Sequence, residues 1–106
     1  MKNRHHVYPK RYRQYGTETK RVNVLEHRCF HTLFRDYHPK DVLQKMNVVI
    51  FGKVYLNSKE RSALNILMSG KSDVYLWNYL IDHFLPSEPY YQAQRIRGAT
   101  KLPNYL

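Results

Sequence analysis

From residue 22 onward the apolar positions of this chain fall into a succession of short helical stripes. Val22, Leu25, Cys29 and Leu33 recur at the spacing of one helical face, with Phe30, Phe34 and Tyr37 alongside. Asn23, with Glu26 three positions on, predicts a capping box at the start of this first helix, and Pro39 ends it. A second helix is expected from about Asp41 as N-cap, with Leu43, Met46, Ile50 and Val54 on one face and Gly52 weakening its end. Asn57 and Glu60 form a second capping box. They open a third helix with Ala63, Ile66 and Leu67 inward, Leu64 and Met68 beside them, and Gly70 just past its end.

Between Val74 and Leu85 the apolar residues run almost all the way round: Val74, Tyr75, Leu76, Trp77, Tyr79, Leu80, Ile81, Phe84, Leu85. Asp73 can cap a fourth helix there and Pro86 stop it, and no turn residue divides the run into a strand pair. An element apolar on every side belongs at the centre of a core. From Tyr90 the chain is polar and expected to be extended. The fold class is mostly α: three or four short helices with extended basic N- and C-terminal arms. The corresponding division is an arm over 1–21, a small helical body over 22–86 and a basic tail over 87–106.

Charge sharpens that division. Residues 1–40 hold ten Lys/Arg against three Asp/Glu, residues 41–92 hold five of each, and residues 93–106 hold Arg95, Arg97 and Lys101 with no acid, for +10 overall. A neutral body with cationic ends suits a polyanion. In the first 21 residues Val7 is the lone aliphatic residue after Met1, against seven cations. Such a segment buries too little to fold by itself, so the arm is expected to be ordered only against a partner. One cysteine, Cys29, excludes an intrachain disulfide. The longest apolar stretch, Val48 to Phe51, is far too short to span a membrane, and no secretory signal pattern is read at the start.

The chemistry expected of the arms is RNA binding. Tyr8, Tyr12 and Tyr15 interleave with Lys10, Arg11 and Arg13, and the tail repeats the theme with Tyr90, Tyr91, Arg95, Arg97 and Lys101, Gly98 allowing close backbone approach. Arginine forks onto phosphate and stacks on bases, while tyrosine offers a ring to an unpaired base. Helices two to four are nearly neutral, which argues against a DNA-reading helix-turn-helix. The RNA contacts expected of the arms are Lys2, Arg4, Lys10, Arg11, Tyr12, Arg13, Lys20, Arg21, Arg95, Arg97 and Lys101.

Other constellations carry less. His27, Cys29, His31 and His38 resemble a zinc set, and on a helix His27 and His31 share a face, but Cys29 points elsewhere and no CxxC completes a site. The histidines are therefore read as packing or RNA contacts, and no metal or cofactor is expected. Adjacent Asp82 and His83 point to different helix faces, the serines lack a Gly-flanked elbow, and no Gly-rich phosphate loop is present. The chain is read as a non-enzyme without a small-molecule substrate. Trp77 is read as core, with Tyr75 and Tyr79 left open as docking residues.

Beyond residue 48 a family likeness enters. Val49-Ile50-Phe51-Gly52, Arg61-Ser62-Ala63 with Leu64, Ile66 and Leu67, Gly70, the aromatic segment Tyr75 to Tyr79, and Arg95-Ile96-Arg97-Gly98-Ala99-Thr100-Lys101 together resemble the mitochondrial small-ribosomal-subunit protein 33 family, protein 27 in fungi. The resemblance, over residues 48–101, implies a structural component of a small ribosomal subunit in the mitochondrial matrix. Its implied partners are ribosomal RNA and neighbouring ribosomal proteins, with Arg61, Arg95 and Arg97 among the RNA contacts. About seven arm contacts to single-stranded RNA would make log K fall against log salt with a slope of about −5. The competing reading is an accessory matrix-side subunit of a respiratory complex, its cations meeting acidic subunits and anionic lipid head groups.

Overall fold

The computed structural model describes residues 1–52 and 54–97. Its elements are strand β1 (Lys2–His6), a 3₁₀ turn (Lys10–Tyr15), strand β2 (Thr19–Asn23) and helices α1 (Val24–Phe34), α2 (Pro39–Ile50), α3 (Ser58–Met68), α4 (Asp73–Phe84) and α5 (Pro89–Gln92). The fold is mostly helical, as the periodicity predicts, with one small two-stranded sheet.

Helix boundaries follow local capping. Asn23 caps α1 by accepting from the Glu26 N–H at 3.0 Å. The reciprocal half of that box is missing because the Glu26 carboxylate instead accepts from the Tyr79 hydroxyl and lies 3.9 Å from Lys71 Nζ. At α3 the expected box is complete: Asn57 Oδ1 accepts from Glu60 N–H at 2.8 Å, and Glu60 Oε1 accepts from Asn57 N–H at 3.1 Å. Two caps differ from expectation. His38, not Asp41, caps α2, its Nδ1 accepting from Lys40 N–H, because Pro39 occupies the first helical position, where a missing N–H costs nothing. Asp41 then sits in the first turn, where its charge suits the helix dipole. Likewise Ser72, not Asp73, caps α4. Gly70, at φ +72°, takes the left-handed position past α3.

The core joins one face of each long helix. Helix α4 is the most buried element, with Leu76, Trp77, Asn78, Leu80, Ile81 and Phe84 inward, and it shares one core with Cys29, Phe30, Leu33 and Phe34 of α1. Phe30 and Phe84 stack at 4.4 Å with planes 10° apart, joining the two helices. Met46 of α2 and Leu67 of α3 are fully enclosed. Lys45 of α2 donates to the Leu33 carbonyl at 2.7 Å, satisfying one of the last carbonyls of α1. Leu25, Val54 and Ile66, expected inward, are substantially exposed. For Val54 the reason is that α2 ends at Ile50.

The largest departure is the N-terminal segment. Residues 1–21 are not an extended arm: β1 and β2 pair antiparallel, from Lys2 opposite Asn23 to His6 opposite Thr19, and the hairpin rests on α1 and α4. It buries His5, Val7, Tyr8 and Val22, and polar bonds to the far end of the chain hold it. His5 Nε2 bonds the Phe84 carbonyl at 2.9 Å, Lys20 Nζ the Asp82 carbonyl at 2.9 Å, and the Tyr8 hydroxyl donates to Glu88 at 2.7 Å. Glu18 accepts from both the N–H and the hydroxyl of Ser87. Burial works against the ionised Glu18 carboxyl, but these bonds and nearby Lys20 outweigh it and hold its pKa below the usual value.

The described part of the tail is likewise docked. Tyr91 of α5 is buried, Trp77 Nε1 donates to the Gln94 carbonyl at 2.8 Å, and buried Asn78 bonds both the carbonyl and the N–H of Ile96, at 2.7 and 2.8 Å. No helix among the described residues is long and apolar enough to cross a membrane.

Candidate nucleic-acid interface

Pairing register decides which cations face out. Residues directly opposite in a two-stranded sheet share a face, and side chains alternate along each strand. Lys2, Arg4, Arg21 and Asn23 therefore lie on one face, and His5 and Lys20 on the other, against the helices. Arg4 stands directly opposite Arg21. Like charges so placed, with Cβ atoms about 4.5–5.5 Å apart, oppose the pairing. Lys2, Arg4 and Arg21 are exposed, and among the described residues none makes an ion pair.

This face continues into a cleft of about 340 Å³ lined by Arg4, His6, Pro9, Lys10, Arg11, His27, His31 and Asp36. Arg11 is fixed there by donating to the Asp36 carbonyl at 2.9 Å, and its guanidinium lies 4.9 Å from the Tyr12 ring centre. The patch thus joins Lys2, Arg4, Lys10, Arg11 and Arg21, with Asp36 as the acid at its margin.

The tyrosines separate into those used internally and those presented. Tyr8, Tyr12 and Tyr15 cluster around His38, ring centres 4.9–5.6 Å from it. Of the three, Tyr8 is buried, Tyr12 half-buried and Tyr15 exposed. Tyr90 is also exposed, with Lys40 Nζ over its ring at 5.3 Å. Gly16 packs against the Tyr8 ring, where an added Cβ would lie 3.1 Å from two ring carbons.

Several other expected contacts are placed differently. Lys20 is half-buried and turned inward; burial lowers its pKa, partly offset by Glu18 and Asp82. Arg95 forks onto Asp82, its Nε and NH2 donating at 3.0 and 3.1 Å, so its charge is matched within the chain. Arg13, Arg61 and Arg97 are exposed. Lys101 and Gly98 lie outside the described residues. Trp77 is core, and Tyr79 is half-buried with its hydroxyl on Glu26. Asp82 is engaged with Arg95, and the His83 ring lies 4.3 Å from Tyr79.

The histidines divide in a way the spacing along α1 does not reveal. Cys29 is buried in the core and His38 caps α2, whereas His27 and His31 meet His5 of β1. His27 Nε2 lies 3.0 Å from His31 Nε2 and 3.3 Å from His5 Nδ1. His5 is 2 % exposed. Burial, assisted by the neighbouring imidazoles, pushes its pKa down to about 4 although the Phe84 carbonyl works the other way, and burial lowers that of His27 as well. His5 is not among the residues that composition or helical spacing single out. A signal for it was available in strand alternation, which turns residues 3, 5 and 7 to one side.

Comparison with known protein families, with characterised proteins and with solved structures finds no match to this chain.

Proposed function

We propose that this chain binds RNA through the outer face of its hairpin and the adjoining cleft, as a non-enzymatic structural component of a ribonucleoprotein. The observation that carries this reading is the Arg4–Arg21 pair. Two arginines held directly opposite on a folded ribbon, with Lys2 beside them and no ion pair to any of them among the described residues, form a fork for phosphate. Exposed Tyr15 adds a ring on which an unpaired base can stack. The setting we propose, the small subunit of a mitochondrial ribosome with neighbouring ribosomal proteins as partners, follows from the resemblance of residues 48–101 alone.

The folded hairpin changes the quantity to be measured. Five cations form the patch, so log K for single-stranded RNA should fall against log salt with a slope of about −3.5, shallower than seven free arm contacts would give. Filter binding of a ribosomal RNA fragment across a salt series tests this. Replacing Arg4 and Arg21 together with Gln should flatten the slope by about 1.4 while circular dichroism stays unchanged. A slope near zero, no response to the double substitution, or binding to anionic vesicles in place of RNA would overturn the proposal.

A further inference from the structure

We propose that His5, His27 and His31 bind one divalent transition-metal ion of the zinc class, with the remaining coordination position opening into the cationic cleft. The three imidazoles come from β1 and from successive turns of α1, and their candidate ligand nitrogens all lie within 4.8 Å of one another. In a tetrahedral site with Zn–N near 2.0–2.1 Å, neighbouring nitrogens are about 3.3–3.4 Å apart. The distances from His27 Nε2 to its two neighbours, 3.0 and 3.3 Å, lie close to that edge.

Proton counting gives a second, independent reason. A carbonyl can only accept, so His5 must carry its hydrogen on Nε2, facing the Phe84 carbonyl at 2.9 Å. His31 must likewise carry its hydrogen on Nδ1, facing the Arg35 carbonyl at 2.8 Å. Both outer rings then turn bare lone pairs, His5 Nδ1 and His31 Nε2, toward His27 Nε2. One hydrogen on His27 cannot serve both acceptors fully. A cation at the centre satisfies all three nitrogens at once. The outer nitrogens of His5 and His31 sit on backbone carbonyls, the arrangement that orients histidine ligands in metal sites, and that of His27 lies 3.3 Å from the Asn3 side-chain amide.

The backbone supports the same geometry. Arg35 is the one non-glycine residue with positive φ among the described residues, at φ 47° and ψ −137°. Its carbonyl is the group that fixes His31. His27 and His31 also line the cleft with Arg4, Lys10 and Arg11, so a water or small anion can reach the open position.

The test uses the full chain without a histidine affinity tag. Zinc competition against a chromophoric chelator should give one ion per chain, and Co²⁺ should give the visible d–d bands of a four-coordinate site. His27→Gln and His31→Gln, at half-buried positions, should each weaken zinc binding by more than the about 10–100-fold that loss of an outer partner brings. His83→Gln, exposed and outside the cluster, should bind as the parent does. Absence of d–d bands in the parent chain overturns the proposal whatever the variants do. Equal zinc affinity in the parent, His27→Gln and His31→Gln chains overturns it as well.

Discussion

Replacing Arg35 with Gly should stabilise this protein, although it removes a side chain and adds none. Arg35 ends α1 with φ 47° and ψ −137°, a region that disfavours any residue bearing a Cβ. Holding such a residue there costs about 1–3 kcal/mol. Its N–H reaches the His31 carbonyl at 2.9 Å and its carbonyl reaches His31 Nδ1, and Gly retains both groups. Against the relief stands the greater freedom of Gly in the unfolded chain, about 0.4–1 kcal/mol. The exposed Arg35 side chain contributes little packing. The net gain should be about 1 kcal/mol, or about 4 °C in Tm for a domain of this size. Arg35→Ala removes the same charge but keeps the Cβ, so it should fall within about 0.5 kcal/mol of the parent. Urea unfolding followed by Trp77 fluorescence, with thermal scans of the same three proteins, measures the difference. A Gly variant no more stable than the Ala variant would refute the strain argument, because charge and side-chain loss are common to both.

Three further outcomes are expected. Phe84→Ala empties a fully buried site stacked on Phe30, and its cost of about 3–5 kcal/mol should appear as a large fall in urea midpoint, whereas a loss under about 1 kcal/mol would show that the site collapses. Asn78→Asp keeps an acceptor for the Ile96 N–H but sets oxygen against the Ile96 carbonyl, costing about 1–3 kcal/mol, and trypsin should then cut sooner after Arg95 and Arg97. An unchanged cleavage rate would mean that Trp77 and Tyr91 alone hold the segment. Asn57→Ala breaks the complete capping box of α3 and should lower stability by about 1 kcal/mol, while Asn23→Ala should cost less, since Glu26 there caps nothing in return.

Helices were legible in the sequence because their signals are local. A cap and its partner lie three residues apart, a helical stripe repeats within two turns, and Pro39, Gly70 and Pro86 act on their immediate neighbours. The central position of α4 followed from its all-round apolar surface in the same way. Where two local signals compete, the order along the chain hides the winner: α1 already ends at Phe34 with Arg35 as its C-cap, so Pro39 closes nothing and instead opens α2, placing the cap at His38.

Tertiary structure alone decided the N-terminal segment, and with it the candidate sites. Counting aliphatic residues left nothing to fold residues 1–21, because what holds them is polar and distant: His5 to Phe84, Tyr8 to Glu88, Glu18 to Ser87, Lys20 to Asp82. No periodicity encodes a bond between positions so far apart in sequence. The excess of positive charge was evident from composition, but the strand register chose which cations face outward and set Arg4 opposite Arg21. That same register turned His5 inward to join His27 and His31, which spacing on one helix could supply only as a pair.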